Sequence, residues 1–485
     1  MGLVKRFAKD TAIYGIAAVL PKLINVLLVR LHTGILQPEA YSENTQFYIY
    51  ATYFNVLLTY GMETALFRFF TKRNNDPKVA QTAFTSILIT SLVFLVLFLG
   101  FSEPVARFLQ INQTYYQILI VILILDTLVV IPYAYLRVTR QPLKFAFYRL
   151  FNIAVYALLN LVFLWWLPRL IKNTASTSTW ISMYQSHPKV IYIFVANLVA
   201  SAFTFILFLP VLKKFRLGID KLLLKKMLSY GLPIMVAGLA YATNENLDKL
   251  LIGRMIDKES MGIYAAVYKI GVFMSLYVTA FRLGAEPFFF SQHKADDAKQ
   301  QYAHILLWFT ILGAVFMVAI MTFLDFIARL LIGQEVYLQA LDIVPIILTA
   351  YLIFGIYNNL SVWYKLTEQT RYGMYLSILG AVITIIFNLL MIPRIGYIAS
   401  AWATLAAYTG MSSVSYFLGK KHYKVPYQTG KVVFFVLSSA LTGVFIYKYF
   451  LHNYPVKIII FAAYIGLVYL IEQKEIKAYF RNQSS

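Results

Sequence analysis

The amino-acid sequence predicts an all-α membrane protein that crosses the bilayer about fourteen times. Hydrophobic residues make up 60% of the 485 residues and charged residues only 13%, whereas soluble domains are nearer half apolar and about a quarter charged. The run AFTSILITSLVFLVLFLGF at 83–101 contains no charged residue. A helix of about 20 apolar residues is long enough to cross the hydrocarbon of a bilayer. These observations indicate a polytopic membrane protein.

Apolar segments follow one another along the whole chain, separated by short polar connections. The first segment follows a basic stretch at 5–9 and contains Lys22 and Arg30. It shows no small-residue cleavage site, so we expect a retained transmembrane helix and not a signal peptide. The longest outer connection, 168–190, is rich in Ser and Thr and too short for a soluble core. The predicted spans are 11–31, 45–67, 80–101, 115–136, 146–167, 190–211, 223–244, 260–282, 303–324, 338–359, 372–392, 396–418, 431–450 and 456–472.

Basic clusters alternate with connections that have few positive charges. If both termini are cytoplasmic, the inner side holds RFFTKRNNDPK (68–78), RVTRQPLKFAFYR (137–149), KKFRLGIDKLLLKK (213–226) and KKHYKVPYQTGK (420–431). The first outer connection, 32–44, has no Lys or Arg. This pattern fits the positive-inside rule, which places Lys and Arg on the cytoplasmic side. The sequence therefore predicts both termini in the cytoplasm.

The charge balance and the lack of cysteine exclude several classes of protein. The net charge is +22, but its position between spans indicates contact with anionic lipid headgroups and not with nucleic acid. The chain contains no cysteine, which excludes disulfides, thiol nucleophiles and thiolate metal sites. We therefore expect no cofactor beyond a coupling ion, H⁺ or Na⁺.

Short similar or identical pieces recur in the same order in two halves of the chain. The matches are YGIAAVLP (14–21) with YGLP (230–233), IYA at 49–51 with 263–265, and FR at 67–68 with 281–282. They indicate that spans 1–6 and 7–12 are parallel repeats, related by an axis along the membrane normal. The prolines of the first pair predict kinks in the first helix of each repeat. The predicted units are a first lobe at 1–212, a cytoplasmic linker at 213–222, a second lobe at 223–419, and two final helices with a cytoplasmic terminus at 420–485.

Several basic residues lie within or at the ends of predicted spans. A lone charge at the bilayer centre costs ~2.5–3.5 kcal/mol on insertion scales, so each such residue needs a role. Lys22 and Lys269 lie inside spans, and Arg30, Arg68 and Arg282 lie at span ends. One hypothesis is a cationic cleft between the lobes that binds a phosphate or pyrophosphate. The alternatives are structural ion pairs for the lysines and contact with headgroups for the arginines.

Two acidic residues and one amide also lie within predicted spans. Glu63 and Asp126 are candidates for binding a coupling proton or sodium ion, and structural pairing with a buried cation is the alternative. Asn25 follows Lys22 by one turn of the same helix and is a candidate polar residue of the cleft.

The stretch YATNENLDKLLIGRMIDKESMGIYAAVYK at 241–269 is unusually rich in charge. Glu245 precedes Lys249 by four residues, the favourable order for an ion pair on a helix. Asn244, Glu245 and Asp248 therefore form either a solvated outer helix end or the polar outer mouth of the cleft.

Two passages carry a resemblance to a known family. The passage NLDKLLIGRMIDKESMGIYAAVYKI (246–270) resembles the helix 7 to helix 8 segment of polysaccharide flippases, where an Asp precedes an apolar LIG turn, a short polar loop and a GxYxxAxK pattern. The passage FNLLMIPRIGYIASAWATL (387–405) is similar to the helix 11 to 12 junction of that family, with Asn388, Pro393 and Gly396 in order. It departs from the usual Gly-Ala-Ala of the family at Ile398, Ala399 and Ser400.

The resemblance is to the flippases of lipid-linked, O-antigen-type oligosaccharides in the multidrug/oligosaccharidyl-lipid/polysaccharide exporter superfamily. It implies a MATE-like fold that moves a polyprenyl-pyrophosphate-linked oligosaccharide from the inner to the outer leaflet of a bacterial inner membrane. It also implies alternating access, a role in polysaccharide or lipopolysaccharide biosynthesis and no enzymatic activity. The implied partners are the lipid-linked oligosaccharide, membrane lipids and other glycan-assembly proteins.

Two other functions stay open at this point. An ion-coupled multidrug exporter of the same superfamily would carry cationic cargo, which predicts an acidic cleft. A membrane glycan polymerase or ligase would need a sizeable outer loop with catalytic Arg or His. The six histidines are scattered, and the sequence has no HExxH or GxSxG motif.

Overall fold

The computed structural model describes residues 3–172, 179–292 and 296–483, and all regular structure in these ranges is helical. Residues 173–178 of the predicted outer loop lie outside the described residues. The chain forms two compact units, Met1–Ala266 and Val267–Ser485. The prediction of an all-α membrane protein is confirmed, since twelve helical segments of the described chain are long and apolar enough to cross a membrane.

The helices of the first unit run without long interruptions, apart from a π-helical turn at Val162–Trp166. The last of them crosses the boundary between the units. They are α1 (Leu3–Ile35), α2 (Pro38–Thr59), α3 (Met62–Lys72), α4 (Pro77–Gly100), α5 (Ser102–Leu109), α6 (Gln113–Val138), α7 (Pro142–Leu161), α8 (Leu167–Lys172), α9 (Thr179–Ser186), α10 (Lys189–Leu212), α11 (Lys221–Met255) and α12 (Lys258–Tyr268).

The second unit opens with a 3₁₀ turn at Lys269–Gly271 and contains a longer 3₁₀ segment at Glu335–Ile343. Its helices are α13 (Val272–Gln292), α14 (Ala298–Thr322), α15 (Leu324–Leu331), α16 (Val344–Leu360), α17 (Val362–Leu366), α18 (Arg371–Ile395), α19 (Ile398–His422), α20 (Thr429–Phe450) and α21 (Tyr454–Gln483).

The count of fourteen spans is not confirmed, because two predicted spans are not among the twelve apolar segments. The span predicted at 45–67 is broken at Tyr60 and Gly61, whose φ angles of 30° and 73° end α2 and begin α3. The span predicted at 396–418 corresponds to α19, whose buried residues are mostly Ala, Ser and Thr. Helices that pack against other helices carry small and polar residues, so α19 is less apolar than a lipid-facing helix.

Side-chain caps and prolines explain where several helices begin. The carboxylate of Asp76 accepts a hydrogen bond from the Lys78 backbone N–H (2.9 Å) at the start of α4, and Asp220 does the same for Leu223 (3.0 Å) at the start of α11. Such caps satisfy backbone donors that have no partner within the helix. Inside the helices, α1 continues through Pro21 and α11 through Pro233. The predicted kinks stay a prediction.

A buried apolar cluster holds α3, α4, α6 and α11 together in the first unit. Met62, Leu66, Ile87 and Met227 are all fully buried in it. The helix α11 therefore packs with the first unit, although the internal repeat assigns it to the second half of the chain. The lobe boundaries were inferred from repeated sequence and not from which helices pack together. They stay a prediction.

Two glycines allow the α2–α3 junction to approach α11. A Cβ atom at Gly61 would clash with the backbone carbonyl of Gly231, and a Cβ atom at Gly231 would lie 2.7 Å from the carbonyl oxygen of Tyr60. Glycine is required at Gly61 for a second reason, since its φ is positive. The two Tyr-Gly pairs at 60–61 and 230–231 thus meet backbone to backbone.

In the second unit, α14, α16, α20 and α21 share one buried cluster, and α16, α18 and α19 pack together. The fully buried Phe435 of α20 contributes to the first of these clusters, with Tyr464 and Val468 of α21. The two helices after the predicted repeat are therefore integral to this unit and do not stand apart from it.

Candidate functional site

Lys22 and Asn25 lie on the same side of α1 as the buried Val29. They precede the buried Val29 by seven and four residues, and at about 100° per residue both separations keep them close to Val29 on the helix surface. Leu27 and Arg30 lie on another face, where both side chains are exposed. Lys22 and Asn25 are also exposed. This side of α1 thus opens into accessible space at the level of Lys22.

Arg68 and Glu63 both lie on α3 and have partners within the first unit. The guanidinium of Arg68 sits over the ring of Tyr230 of α11, 4.3 Å from its centroid. The carboxylate of Glu63 accepts a hydrogen bond from Arg137 of α6 at 2.9 Å, and both side chains are more than 40% exposed. Glu63 therefore forms an accessible ion pair and not the expected pair with a buried cation, and its role in ion coupling stays a prediction.

Asp126 lies in the middle of α6 and is half-buried. Its carboxyl group faces Ser201 of α10, and the charge of Arg149 of α7 acts on it. The phenols of Tyr48 and Tyr133 also lie within electrostatic reach. A carboxylate among hydroxyl groups in an apolar span can bind a proton or a small cation.

Close to Asp126, a chain of hydrogen bonds links four helices. His32 of α1 contacts the Asn160 side chain at 2.8 Å, and Asn160 donates to the backbone carbonyl of Tyr156 at 2.8 Å. The phenols of Tyr156 and Tyr48 are 3.0 Å apart, and Asn197 of α10 donates to Tyr48 at 3.4 Å. The sequence analysis did not identify these residues. The detectable signal was Asn152, Tyr156 and Asn160, which recur every four residues along one face of α7.

The charged stretch at the end of α11 forms a buried clasp with α12. The carboxylate of Asp248 accepts hydrogen bonds from the Lys249 ammonium (2.9 Å) and from the Tyr264 phenol (2.9 Å). Lys249 also donates to the backbone carbonyl of Glu245 at 2.7 Å. Asn244 is 1% exposed and Asp248 is fully buried. The interpretation of these two residues as part of a solvated helix end is therefore wrong, because both side chains are covered by protein.

The clasp is reinforced by a close backbone contact. A Cβ atom at Gly262 of α12 would clash with the carbonyl of Pro38, the first residue of α2. Three residues of the first family-like passage thus hold three helices together. Tyr264 joins α12 to Asp248 of α11, and Gly262 brings α12 against α2. Whether Asn244, Glu245 and Asp248 line the mouth of a cleft stays a prediction.

In the second unit, Lys269 and Arg282 are both exposed. Lys269 begins the 3₁₀ turn at Lys269–Gly271, and a 3₁₀ interruption within a helical span often marks a hinge. Arg282 of α13 lines a very small cavity of about 10 Å³, together with Glu286 and Asn359.

Two further polar features surround the cavity beside Arg282. Lys365 of α17 donates a hydrogen bond to Glu286 at 2.5 Å. The side-chain oxygen of the buried Asn359 accepts no hydrogen bond from the protein. The residues around the cavity thus provide an ion pair, an arginine and an amide acceptor, and the space between them has room for about one water molecule. Neither Glu286 nor Lys365 was a candidate in the sequence analysis.

The second family-like passage also has a structural explanation. Ser400 of α19 donates a hydrogen bond to the Asn388 side chain of α18 at 2.6 Å, and both residues are fully buried. Gly396 ends α18 with a φ of 70°. The serine that departs from the usual family pattern therefore joins α18 to α19 through the asparagine that matches it.

No group of three or more His, Asp or Glu side chains in the described ranges is arranged to hold a metal ion. The arrangement within the first unit instead places an exposed lysine and an amide on α1, and the carboxylate of Asp126 near the tyrosine–asparagine hydrogen-bond chain. Such groups can bind an anion and a small cation, respectively.

Two protein-family models match the chain. The model described as polysaccharide biosynthesis protein matches residues 7–289, and the model described as MatE matches residues 233–390. No curated protein matches the chain.

Several solved structures have a similar fold. The lipid II flippase MurJ in an inward closed conformation has a TM-score of 0.70 at 15% identity, over 95% of this chain and 99% of that one. An inward-facing multidrug resistance MATE family transporter of the MOP superfamily has a TM-score of 0.63 at 12% identity, over 83% and 94% of the two chains. A MOP superfamily transporter from Pyrococcus furiosus, whose binding pocket is described as having reverse polarity, has a TM-score of 0.59 at 12% identity, over 86% and 95%.

At these identities the solved structures establish the fold, which is that of the MOP superfamily transporters and flippases. The expected MATE-like architecture is therefore confirmed. The first family model extends over residues 7–289, more than half of the chain. The chain belongs to the polysaccharide biosynthesis protein family, within the multidrug/oligosaccharidyl-lipid/polysaccharide exporter superfamily.

Proposed function

We propose that the protein flips a polyprenyl-pyrophosphate-linked oligosaccharide from the inner to the outer leaflet of a bacterial inner membrane. Two comparisons support this function: membership of the polysaccharide biosynthesis family and the shared fold with a protein described as a lipid II flippase. Moving a pyrophosphate and sugar hydroxyls through hydrocarbon without protein would be costly, because each polar group would lose its hydrogen bonds to water.

The observation that carries the proposal is the position of Lys22. This lysine is exposed on the side of α1 that carries the buried Val29. An accessible cation at the depth of a transmembrane span suits an anionic headgroup better than a cationic drug. Arg30 and Arg68 in the first unit, and Lys269 and Arg282 in the second, are further exposed basic residues that we propose as contacts for the pyrophosphate.

We further assign ion coupling to Asp126. Its carboxyl lies beside Ser201 and the tyrosine–asparagine hydrogen-bond chain. A coupling proton or sodium ion bound there could bias the packing of α2, α6, α7 and α10, the helices that supply the network, and so support alternating access. Glu63 is the second candidate, although its ion pair with Arg137 gives it a structural role.

The test of the flippase function uses Lys22→Ala and the conservative Lys22→Arg. We expect Lys22→Ala to lower surface-glycan export by about ten-fold or more, since a hydrogen bond to a charged group contributes about 1.5–3 kcal/mol. Lys22→Arg should keep most of the export because it keeps the charge. Lys144→Ala, an exposed basic residue at the start of α7, is the matched control.

Export would be measured in cells in which the chain is the only flippase for their surface glycan, with membrane levels of each variant checked in parallel. Equal export by wild type and Lys22→Ala at equal protein levels would remove Lys22 from the proposed site. Accumulation of lipid-linked oligosaccharide in the inner leaflet of the Lys22→Ala cells would support it.

The MatE match over residues 233–390 favours one other candidate, an ion-coupled exporter of the same superfamily. The two functions differ in the sign of the charge that binds cargo. If the protein exports cationic drugs, expression should raise the drug resistance of a susceptible host, and Lys22→Ala should leave that resistance intact. The flippase proposal predicts no such resistance.

A further inference from the structure

A cavity of about 450 Å³ lies at the predicted cytoplasmic end of the first unit, apart from the site described above. Its cationic lining residues are Lys78 at the start of α4 and Lys214 and Arg216 of the segment between α10 and α11. Gln81 and Tyr135 add an amide and a phenol that can donate hydrogen bonds. Cavities of roughly this size hold small ligands or parts of larger ones.

The segment that carries Lys214 and Arg216 is held firmly against α4 and α6. The Phe215 ring stacks on Phe84 with 5.4 Å between centroids and meets the edge of Tyr135 at 5.3 Å. Because Phe215 is anchored between these helices, its two basic neighbours are placed beside the cavity.

Two backbone hydrogen bonds hold the rest of this segment in place. The N–H of Gly218 donates to the Thr85 hydroxyl at 3.1 Å, and the N–H of Asp220 donates to the Thr82 hydroxyl at 3.2 Å. The predicted linker between the repeats is therefore an ordered part of the first unit, and its basic side chains have defined positions.

The charges around the cavity leave an excess of positive charge. Asp76 is the acidic residue among those that line the cavity. One oxygen of Asp76 caps α4 by accepting from the Lys78 N–H, and the other lies 3.7 Å from Arg73. The charge of Asp76 is therefore shared with Arg73, and three cationic side chains surround a space that contains no other lining carboxylate. A bound anion would relieve their mutual repulsion.

Apolar surface adjoins this basic cavity. Leu217, which directly follows Arg216, is 65% exposed, and Leu222 in the first turn of α11 is 74% exposed. A site that joins a cationic cavity to exposed leucines at the cytoplasmic end of transmembrane helices suits a phospholipid, since the headgroup and the acyl chains each find a matching surface.

We infer that this cavity binds a phosphate group, with an anionic phospholipid of the inner leaflet as its source. Lys78, Lys214 and Arg216 contact the phosphate, and Gln81 and Tyr135 donate hydrogen bonds to the headgroup. The bound lipid links the start of α4 to the segment between the predicted repeats. This site is separate from the proposed export function, because none of its residues is proposed to contact the exported lipid.

The experiment measures lipid binding to the full-length protein in detergent by native mass spectrometry. Wild type should bind phosphatidylglycerol about 100-fold more tightly than phosphatidylcholine, since each of the three basic residues contributes about a five-fold gain in affinity for an anionic lipid. The double variant Lys214→Ala/Arg216→Ala should lose about 25-fold in affinity for phosphatidylglycerol, and Lys78→Ala about five-fold. The matched control is Lys225→Ala/Lys226→Ala, two exposed lysines of α11 outside the cavity.

A second arm titrates inorganic phosphate into the same proteins by calorimetry. Phosphate binding that is lost in the cavity double variant, without a preference for phosphatidylglycerol, would identify free phosphate as the source and support the site. Equal losses of phosphatidylglycerol affinity in the cavity variant and the control variant would overturn it. So would a wild type that neither prefers phosphatidylglycerol nor binds phosphate.

Discussion

At the scale of single residues, polar groups near the ends of predicted spans have structural roles that the sequence does not suggest. Asp248 is fully buried and receives hydrogen bonds from both Lys249 and Tyr264. A buried carboxylate is tolerated when it is paired and hydrogen-bonded, and becomes strongly destabilising when its partner is removed. Two charges of the stretch at 241–269, Asp248 and Lys249, are thus explained by a clasp between α11 and α12.

We expect Lys249→Ala to lower the melting temperature of the detergent-solubilised protein strongly, since breaking a buried ion pair costs about 3–5 kcal/mol. The double variant Asp248→Asn/Lys249→Met should be more stable than Lys249→Ala, because it leaves no unpaired charge. The measurement is the melting temperature of the three proteins. A double variant less stable than the single one would contradict the ion pair as the source of the effect.

Glycine at residue 262 has a different role, which is to permit contact between backbones. We expect Gly262→Ala to destabilise the protein by about 1–3 kcal/mol, as overpacking generally does, because the new Cβ clashes with the Pro38 carbonyl. The matched control is Gly466→Ala in α21, where a Cβ atom meets nothing within 4 Å.

The control should change stability in the opposite direction. Alanine is favoured over glycine inside a helix by about 1 kcal/mol. Melting temperatures should therefore fall for Gly262→Ala and stay equal or rise for Gly466→Ala. Similar decreases in both variants would show that the Pro38 contact is not responsible.

At the scale of helical elements, two short helices repeat one arrangement. α5 follows the span of α4, and α15 follows the span of α14, with the sequences FSEPVARFL (101–109) and FLDFIARLL (323–331). Each has an acidic residue paired with the arginine four residues later, Glu103 with Arg107 and Asp325 with Arg329. The sequence analysis did not identify this match. The two short helices are six predicted spans apart, as are the corresponding helices of the predicted repeat.

The two short helices differ in what surrounds their acidic residue. Glu103 and Arg107 are both more than half exposed, whereas the Asp325 side chain is only 16% exposed. Asp325 also accepts a hydrogen bond from Tyr454 of α21 at 2.9 Å and lies 3.8 Å from His452. Burial alone raises the pKa of Asp325, but the hydrogen bonds from Tyr454 and Arg329 and the charges of Arg329 and His452 together lower it.

The lowered pKa predicts a pH-dependent contact between α15 and α21. A carboxylate whose pKa is lower in the folded state stabilises the fold above its unfolded value of about 3.9. That contribution is lost as the pH falls through the folded-state pKa. We therefore expect Asp325→Asn to lower the melting temperature at pH 7 and the difference from wild type to shrink as the pH falls below about 4.

Melting curves of wild type and Asp325→Asn between pH 7 and pH 3 test this prediction. Glu103→Gln is the matched control, and it should have little effect at any pH because exposed ion pairs contribute ~0–1 kcal/mol. A constant difference between wild type and Asp325→Asn across this pH range would contradict the prediction.

At the scale of the whole molecule, the proposed function predicts that ion binding and lipid movement are coupled. The Asp126 carboxyl group lies within electrostatic reach of Tyr48, which belongs to the tyrosine–asparagine hydrogen-bond chain of the first unit. A ligand can shift a conformational equilibrium only by its difference in affinity for the two states. Removing the charge of Asp126 should therefore remove the effect of an ion gradient and leave the lipid-binding residues intact.

We expect Asp126→Asn to abolish stimulation of flipping by an imposed H⁺ or Na⁺ gradient in proteoliposomes. The assay follows a fluorescent lipid-linked oligosaccharide with and without the gradient, and Glu103→Gln should respond as wild type does. Glu63→Gln should respond mainly through stability, because Glu63 pairs with Arg137. Full stimulation of the Asp126→Asn protein would exclude Asp126 as the coupling residue.

The sequence by itself determined the class of the protein, the positions of its helices and the residues of the family-like passages. This was possible because a spanning helix must satisfy its own backbone hydrogen bonds and match the hydrocarbon thickness, so each span leaves a local apolar signature. The two helices that this signature fits least well are α2 and α19, and α19 buries mostly small and polar residues against protein.

Only the tertiary structure decided how the polar residues are used. His32 meets Asn160 across 128 residues of sequence, and Gly262 meets Pro38. Such contacts depend on which helices pack together and at what rotation, and helix packing in a bilayer is selected by shape and hydrogen bonding more than by hydrophobicity. The burial of Asp248, the exposure of Lys22 and the basic cavity beside Phe215 therefore had no local signature in the sequence.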